Sequence, residues 1–351
     1  MSDIPRGAIR FNTDSNKPEL WDGSQWAEFQ LSTPNLGTSD DRQPGARGLF
    51  AGGYQPGAYQ NDIDFLNIAS TGNTQDFGTL NTALAAGAGV GSRTRALFAG
   101  GYVSGSPGSI AQIDTVVFSS TGNASDFGDL NNPANTRRGG AGNATRGLFA
   151  GGGPTGAAQI DYVTIAATGE SKDFGDLTVA RTRFAGAGSP VRGVFAGGFS
   201  PNPTNTYYNT IDFVSIATLG DAQDFGDLTK GKSWTAVCSN PTRMLIGGGS
   251  IAPDGNTAVS EMEYITISTT GNATMFGDLN RVVDTGAYAG SGVASSTRGV
   301  FNTGLFKNPG TTYDNTLYYV EISTTGKAID FGDLDGKRYG VQTASNGHGG
   351  L

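Results

Sequence analysis

A pattern of about 50 residues occurs six times in this chain. Each copy starts with an arginine and an apolar segment, continues through a variable loop and an alternating segment, and ends with a Gly-containing turn and a Phe-Gly pair. The arginines are Arg47, Arg95, Arg146, Arg192, Arg243 and Arg298, and the phenylalanines are Phe77, Phe127, Phe174, Phe225, Phe276 and Phe331. A repeat of this length that holds several short strands predicts a radial all-β array in which each copy supplies one sheet.

The spacing inside the repeat separates a constant part from a variable part. Asp64 and its counterparts at positions 114, 161, 212, 263 and 318 precede the turn glycine by eight residues, and the phenylalanine follows that glycine by five. The segment after the Gly pair that closes each apolar run differs in length and composition in every copy. Constant strands with one variable loop per copy predict a scaffold that presents loops.

The two ends of the repeat region complement each other. Residues 337–345 have the composition of the strands that lie between the other copies, whereas residues 39–46, which precede the first copy, are polar. We therefore expect the C-terminal strand to complete the first sheet, so that six sheets close without a free edge.

The first 32 residues do not fit the repeat. They are expected to form a small β meander, with turns at 14–17 and 22–23, and Trp21, Trp26 and Phe29 give it an aromatic surface. A segment this short rarely folds alone, so these three residues are predicted to dock on the repeat array, on a copy of the chain or on another protein. The predicted organisation is a meander over 1–32, a linker over 33–46 and the repeat array over 47–351.

Composition and charge exclude several classes of function. The net charge is −8 with 15% charged residues, and the absence of a basic cluster argues against nucleic-acid binding. No apolar run is long enough to predict membrane insertion, and the first residues do not resemble a secretory signal. Cys238 is the single cysteine, so no internal disulfide is expected.

The chain offers little material for catalysis. His348 is its only histidine, so a histidine-based triad or a multi-histidine metal site cannot be assembled, and we expect no enzyme, cofactor or metal. The recurring aspartates are interpreted as turn caps rather than cation ligands, and the recurring arginine could pair with one of them in a neighbouring copy, as Arg146 with Asp129. A propeller hydrolase or lyase stays as an alternative that would need a carboxylate cluster at the channel mouth. The recurring aspartates are Asp129, Asp176, Asp227, Asp278 and Asp333.

The variable loops carry the candidate binding residues. Aromatic side chains among amides and hydroxyls suit sugars or protein surfaces, because they combine apolar area with hydrogen-bonding groups. The alternative is that Tyr and Pro only stiffen exposed loops. The aromatic residues are Tyr54, Tyr59, Tyr102, Phe199, Tyr207, Tyr208, Phe306 and Tyr313.

The repeat resembles the Kelch family of β-propellers. That family has a Gly pair after its second strand and a Trp followed by Leu on the fourth, where this chain has Phe. The resemblance implies an all-β, six-bladed Kelch-like β-propeller closed by the C-terminal strand. The Gly pairs are Gly52–Gly53, Gly100–Gly101, Gly151–Gly152, Gly197–Gly198 and Gly248–Gly249.

The N-terminal stretch 5–14 and the segment Trp21–Trp26 resemble short modules in tail and virion proteins of marine tailed bacteriophages, including cyanophages. This resemblance implies a non-enzymatic virion structural protein, in a tail or appendage, whose meander contacts other virion proteins. It also implies that the loops contact a host-surface glycan or protein, and that the chain could form a homo-oligomer. The alternative function is a carbohydrate-binding adhesin, for which Tyr207, Tyr208 and Tyr313 would be the first residues to mutate.

Overall fold

The computed structural model describes residues 5–12, 17–28, 46–105, 108–132, 136–251, 257–279, 290–307 and 311–351. In these ranges the chain is all β, with 36 strands in antiparallel sheets, as the repeat predicted. None of the described residues belongs to a helix that is long and apolar enough to cross a membrane. The chain divides into two compact units, Met1–Gly45 and Ala46–Leu351.

The N-terminal unit contains one three-stranded antiparallel sheet, made of β1 (Ile9–Asn12), β2 (Lys17–Trp21) and β3 (Trp26–Glu28). Asp22 closes the turn between β2 and β3, because its Oδ1 accepts the main-chain N–H groups of Ser24 at 2.7 Å and Gln25 at 2.8 Å. The rings of Trp21 and Trp26 face each other across this turn with centroids 5.5 Å apart. Residues 14–16 of the predicted turn at 14–17 and the predicted docking residue Phe29 lie outside the described residues, and Lys17 begins β2.

The second unit contains the repeats, whose strands follow one another along the chain. The first three repeats supply β4 (Arg47–Ala51), β5 (Tyr54–Gln55), β6 (Ala58–Tyr59), β7 (Asp62–Asn67), β8 (Gln75–Thr79), β9 (Ala88–Gly91), β10 (Arg95–Tyr102), β11 (Ser109–Val117), β12 (Ser125–Asp129), β13 (Gly139–Gly142), β14 (Arg146–Ala150), β15 (Ala157–Thr164) and β16 (Lys172–Arg181). The fourth and fifth supply β17 (Ala185–Gly188), β18 (Arg192–Ala196), β19 (Phe199–Ser200), β20 (Thr206–Tyr207), β21 (Thr210–Ser215), β22 (Gln223–Asp227), β23 (Lys232–Ser233), β24 (Ala236–Ser239), β25 (Arg243–Gly247), β26 (Ser250–Ile251), β27 (Thr257–Ala258), β28 (Glu261–Thr266) and β29 (Thr274–Asp278). The last supplies β30 (Ser291–Ala294), β31 (Arg298–Asn302), β32 (Leu305–Lys307), β33 (Thr311–Tyr313), β34 (Thr316–Glu321), β35 (Ile329–Asp333) and β36 (Gln342–Ser345).

These strands form six four-stranded sheets within the described residues. From inner to outer strand, sheets 1 to 6 are β36-β4-β7-β8, β9-β10-β11-β12, β13-β14-β15-β16, β17-β18-β21-β22, β24-β25-β28-β29 and β30-β31-β34-β35. The remaining short strands pair within the loops, as β5-β6, β19-β20, β23-β26-β27 and β32-β33.

The hydrophobic core lies between adjacent sheets. Apolar side chains of the second and third strands of one sheet pack against those of the next, in six clusters of which the last joins sheet 6 to sheet 1. The inner strands also contact each other in the order β36, β9, β13, β17, β24, β30 and β36 again. This closeness explains their small side chains: a Cβ on Gly186 would lie 2.8 Å from the main-chain oxygen of Gly140 in the neighbouring inner strand.

The C-terminal strand completes sheet 1, as its composition predicted. In β36, Gln342 pairs with Ala51 and Ser345 pairs with Gly48. Beyond it, Asn346 Oδ1 accepts the N–H of Arg47 at 2.7 Å, although the two residues are 299 positions apart. Asn143 makes the same bond to Arg146 at 2.9 Å inside a tight turn of sheet 3. In sheet 1 the distant side chain of Asn346 thus takes the role that the nearby Asn143 has in sheet 3.

Main-chain hydrogen bonds join each sheet to the next. The N–H of Gly122, in a turn of sheet 2, donates to the oxygen of Phe77 in sheet 1 at 2.7 Å, and the N–H of Gly72 donates to the oxygen of Phe331 at 2.7 Å. The second bond joins sheet 1 to sheet 6. The repeated Thr-Gly turn is therefore an inter-sheet connector as well as a reversal of the chain.

The recurring arginines make a second set of inter-sheet bonds. Arg146 Nη1 donates to the main-chain oxygens of Ile216 at 2.7 Å and Ala217 at 3.0 Å in the next sheet, and its guanidinium lies 5.1 Å from the ring of Tyr162. The hypothesis that Arg146 pairs with Asp129 is therefore wrong. Carbonyl oxygens at the end of a strand in the next sheet accept hydrogen bonds from the Arg146 guanidinium instead.

The repeated Phe-Gly pair marks a β-bulge. Phe174 is the extra residue between the ladder pairs Ile160–Gly175 and Asp161–Asp173, which turns its side chain into the core. Gly175 has a φ of +145°, and a Cβ there would lie 2.5 Å from the main-chain oxygen of Gly220 in the next sheet. The glycine is required both by its backbone conformation and by the neighbouring turn.

Candidate functional site

The variable loops and the connections from outer to inner strands lie together at one end of the six sheets, which we call the loop end; the opposite end is the turn end. Main-chain pairing of Tyr54 with Tyr339, of Tyr102 with Ala85 and of Phe199 with Thr182 ties each loop to a connection of its own sheet. The loops and connections therefore share one face of the array, as the repeat pattern indicated.

Buried ion pairs lie beneath the loop end. Asp161 accepts from Arg138 Nη1 at 2.7 Å, and Asp212 accepts from Arg181 Nη2 at 3.0 Å, with all four side chains fully buried. Equivalent pairs are Glu263 with Lys232 at 2.8 Å and Asp64 with Arg338. Sequence analysis recognised this position, which is acidic in five repeats and Tyr318 in the sixth, but it did not recognise the cationic partners. Each of these carboxylates is paired with its own buried cation, and the four do not converge at a channel mouth.

Sheet 2 departs from this arrangement at Asp114. Leu84 lies four residues before β9, the position that Arg181, Lys232 and Arg338 have before their inner strands. Asp114 instead accepts from the N–H of Asn81 at 2.9 Å, from Asn81 Nδ2 at 2.7 Å and from Gln112 Nε2 at 2.8 Å. Burial raises the pKa of Asp114 above its ordinary value, and the hydrogen bonds from Asn81 and Gln112 offset only part of the desolvation.

A cavity of about 150 Å³ lies between the inner strands. Its walls are mostly Gly, Ala and Val side chains of those strands, and Cys238 contributes a thiol whose pKa is raised by burial. At the turn end, His348 lines the cavity, with Nε2 at 2.6 Å from the oxygen of Gly91, and burial lowers the pKa of His348. The N–H of Gly349 donates to the oxygen of Ser239 at 2.7 Å, so the C-terminal residues of the chain lie across this end.

Arginine and aromatic side chains alternate at the loop end of the cavity, in an arrangement that we call the arginine–aromatic stack. Arg137 lies 4.6 Å from the ring of Tyr102 and 5.3 Å from that of Trp234; Arg183 lies 5.6 Å from Trp234 and 4.6 Å from Phe199. Cations over aromatic faces at these distances attract the ring, and the effect grows as water is excluded. The stack consists of Tyr102, Arg137, Trp234, Arg183, Phe199 and Tyr207.

The backbone holds the central members of the stack in place. Arg137, Arg183 and Trp234 have φ values of +58°, +59° and +58°, in the left-handed region that costs a non-glycine residue about 1–3 kcal/mol. Each sits two residues before an inner strand, and the N–H of Arg183 donates to the oxygen of Arg137 at 3.0 Å, as that of Trp234 does to Arg183 at 2.7 Å. These bonds between successive connections offset the strain and aim the three side chains at the cavity.

Four tyrosines form a second aromatic group, which we call the tyrosine cluster. The ring centroids of Tyr54 lie 5.2 Å from those of Tyr59 and 5.6 Å from those of Tyr339, and Tyr313 lies 5.8 Å from Tyr339. Tyr54, Tyr59 and Tyr313 come from loops at opposite ends of the repeat region, which adjoin because β36 completes sheet 1.

The candidate binding residues thus fall into two groups. The structure brings together Tyr54, Tyr59 and Tyr313 in the tyrosine cluster, and Tyr102, Phe199 and Tyr207 in the stack. Tyr208 is half-buried and has its N–H bonded to the oxygen of Gly198 at 2.9 Å, and the side chain of Phe306 lies outside the described residues.

Sequence analysis missed Arg137, Arg183, Trp234 and Tyr339, which all lie in connections between repeats. The first three occupy one structural position, two residues before an inner strand, and a comparison of the connections by that distance is the signal that would have found them.

Neither metal ligation nor similarity to other proteins identifies a function. Among the described residues, no three His, Cys, Asp or Glu side chains converge to hold a metal ion. The N–H groups of Asp129 and Asp176 are capped by Glu170 and Asp221 of the following turns, at 3.1 and 3.0 Å.

No protein-family model matches the chain, and no curated protein is significantly similar to it in sequence.

Proposed function

We propose that residues 47–351 form a six-bladed, Kelch-like β-propeller in which each four-stranded sheet is one blade. Three observations support this proposal: the cyclic order of contacts between inner strands, the hydrogen bonds from sheet 6 to sheet 1, and the pairing of β36 with β4. The pairing of β36 with β4 gives sheet 1 four strands like the other five sheets, as expected of a closed radial array.

The function that we infer is non-enzymatic recognition by a component of a bacteriophage virion, in a tail or appendage. The observation that carries it is the concentration of aromatic and cationic side chains at the loop end, on a scaffold that repeats everywhere else. Rings with polar edges are suited to binding proteins and glycans. The resemblance of the N-terminal stretch to virion modules supports the location, and Trp21 and Trp26 supply a surface for another virion protein.

A carbohydrate-binding adhesin is the second candidate. The tyrosine cluster favours it, because half-buried rings that meet edge-to-face or tilted offer apolar area while their hydroxyl groups can bond to sugar hydroxyls. In this case the loop end would contact a host glycan rather than a neighbouring virion protein.

A glycan-array measurement on the full chain separates the two candidates. Loss of glycan binding in a Tyr54→Ala/Tyr313→Ala variant, with binding kept in Leu219→Ala, would identify the loop end as a glycan receptor site. Leu219 is a suitable control because it is exposed at the turn end. Absence of binding to any glycan would leave contact with virion proteins as the role of the loops.

The virion location needs a separate test. An antibody against the chain should label the tail or an appendage of purified phage particles in negatively stained electron micrographs. Failure to label the particles, with the chain also absent from them by mass spectrometry, would contradict a virion role.

A further inference from the structure

Residues 346–351, which we call the strap, lie across the turn end of the cavity. The N–H of Asn346 donates to the oxygen of Arg47 in sheet 1 at 3.2 Å. The N–H of Gly349 donates to the oxygen of Ser239 in sheet 5 at 2.7 Å. These bonds hold the two halves of the strap to different sheets, so the segment bridges the end of the cavity instead of following one strand.

The three glycines of the strap lie against three further sheets. A Cβ on Gly349 would lie 2.6 Å from the oxygen of Gly188, which is closer than a real Cβ approaches. Side chains at these positions would therefore push the strap away from the inner strands. The contacts are Gly347 with Ser295 next to β30, Gly349 with Gly188 of β17 and Gly350 with Gly142 of β13.

His348 supplies the contact with sheet 2 and also links the strap to itself. Its Nε2 lies 2.6 Å from the oxygen of Gly91, and its Nδ1 accepts the N–H of Gly350 at 3.0 Å. Nδ1 accepts only when it carries no proton, so the proton of the neutral ring is on Nε2 and is donated to Gly91. The two ring nitrogens have opposite roles, which only the neutral imidazole can fill.

The surroundings of His348 offer no counter-charge to an imidazolium. Among the described residues that line the cavity there is no Asp or Glu. Cys238 of β24 is the one titratable residue in the six inner strands, and burial raises the pKa of its thiol, which therefore stays neutral. The tight turns that leave the inner strands around the strap add only cations, namely Arg93 and the recurring arginines.

We propose that the strap closes the turn end of the cavity while His348 is neutral and is released when the ring is protonated. A proton on Nδ1 would point at the N–H of Gly350, so this hydrogen bond is lost and two donors face each other. Release carries the cation into water and opens the turn end of the cavity. This device does not depend on what the loop end binds.

The linkage between protonation and closure gives the direction and the size of the effect. Burial lowers the pKa of His348 below its ordinary value of 6.5, which the ring regains when the strap is released. Closure is therefore strongest above pH 6.5 and weakens as the pH falls toward the lower, strap-bound value. Each pH unit in that interval shifts the equilibrium by up to about tenfold.

Hydrogen–deuterium exchange of the full chain, measured by mass spectrometry on peptides that contain the strap, tests the release. From pH 7.5 to pH 5.5, after correction for the intrinsic exchange rate, protection of the Gly349 and Gly350 amides should fall about tenfold. The amides of β14 should keep their protection, because the sheets stay folded. His348→Gln is the matched control: its amide can donate to Gly91 but does not titrate, so strap protection should be equal at both pH values.

Nuclear magnetic resonance supplies a measurement that needs no variant. His348 is the only histidine, so its ring signals are unambiguous, and we expect a ring protonated on Nε2 at pH 7.5 with a titration midpoint below 6.5. Three results would overturn the inference. They are equal strap protection at pH 7.5 and pH 5.5 in the parent chain, the same loss of protection in His348→Gln, and a ring that titrates at 6.5 or above.

Discussion

The turn end and the loop end of the six sheets belong to the same strands but differ in what holds them. At the turn end, Asn143 and Asn240 each accept from the N–H groups two and three residues later, and the turn glycines donate to outer strands of adjacent sheets. At the loop end, side-chain contacts at the acidic position hold the chain instead. They are the ion pairs Arg181–Asp212 and Lys232–Glu263, or, in sheet 2, an aspartate bound by amides.

The difference follows from which atoms make the contacts. Main-chain atoms are the same in every residue, so inter-sheet bonds between them repeat six times and tolerate only glycine where the chains approach closely. Side-chain contacts can be exchanged for others of similar reach, so the loop end varies without loss of the sheets. Sequence variation that could serve binding is therefore concentrated at the loop end, where side-chain contacts stabilise the structure.

The largest effect should come from adding a methyl group at the turn end. Gly175→Ala places a Cβ 2.5 Å from the main-chain oxygen of Gly220 at a φ of +145°, and we expect a loss of about 3–5 kcal/mol in the free energy of unfolding, measured with urea. Gly220→Ala is the control, because φ is +146° there but no atom lies within 4 Å of the added Cβ. Equal losses in the two variants would show that the neighbouring sheet imposes no steric limit.

Removing one partner of a buried ion pair should have the next largest effect. Asp212→Asn leaves the Arg181 guanidinium without a counter-charge in a fully buried site, and we expect a loss of about 3 kcal/mol in urea unfolding. Replacing both residues, as Arg181→Met/Asp212→Leu, should restore part of this loss. A double variant no more stable than Asp212→Asn would argue against an isolated buried charge as the cause.

Truncation of a recurring arginine should cost less. Arg146→Ala removes two hydrogen bonds to the next sheet and the contact with Tyr162, for an expected loss of about 2 kcal/mol. In double-mutant cycles, Arg146 should couple to Tyr162 by about 0.5–1 kcal/mol and to Asp129 by less than about 0.5 kcal/mol. A stronger coupling to Asp129 would support the Arg146–Asp129 pair, which the structure does not contain.

The acidic positions of sheets 2 and 5 should respond to pH in opposite directions. The pKa of Asp114 is raised by burial, so its contribution to stability falls as pH rises from 3.8 through the folded-state value. Burial opposes ionisation of Glu263, but the Lys232 ammonium outweighs it and lowers the pKa of Glu263, so stability falls as pH drops below 4.5.

Urea unfolding at pH 3 and pH 7 measures this contrast. Asp114→Asn should lose more stability at pH 3 than at pH 7, and Glu263→Gln should lose more at pH 7 than at pH 3. The same sign in both variants would contradict the opposite directions of the pKa shifts of Asp114 and Glu263.

The smallest effect should come from lengthening a loop. Four Gly-Ser residues inserted between the exposed residues Thr204 and Asn205 should cost about 0.6 kcal/mol, since closing a loop depends only weakly on its length. The same insertion between Pro190 and Val191 should cost about 2 kcal/mol, because Ser189 Oγ caps the N–H of Arg192 at 3.0 Å in that turn. Similar losses of stability at the two sites would contradict a greater tolerance of the loop end to insertion.

The strand order of the sheets was accessible from sequence because it depends on local periodicity and on spacings that recur six times. The pairing of β36 with β4 could also be predicted, since its composition matched the inner strands and the segment before Arg47 did not. The close approach of Gly175 to Gly220 could not be predicted from the sequence, because it depends on the distance between two sheets.

The residues of the candidate functional site were harder to predict from the sequence. Arg138 lies one residue before its inner strand and Arg181 lies four residues before, so cations with the same function do not align in sequence. Arg137, Arg183 and Trp234 share one backbone conformation but no side-chain chemistry, and Tyr339 reaches Tyr54 only through closure of sheet 1. Positions defined by a common backbone geometry need coordinates to be recognised.

The bond between Arg47 and Asn346 has a consequence for the timing of synthesis. The two residues are 299 positions apart, and a ribosome that adds about 5–20 residues per second needs about 15–60 s to travel from one to the other. Throughout that interval β4 has no inner neighbour, so the nascent chain carries an unpaired edge that chaperones or other chains can reach. Synthesis of β36 is what ends this exposure, and a product that stops short of β36 keeps the unpaired edge of β4.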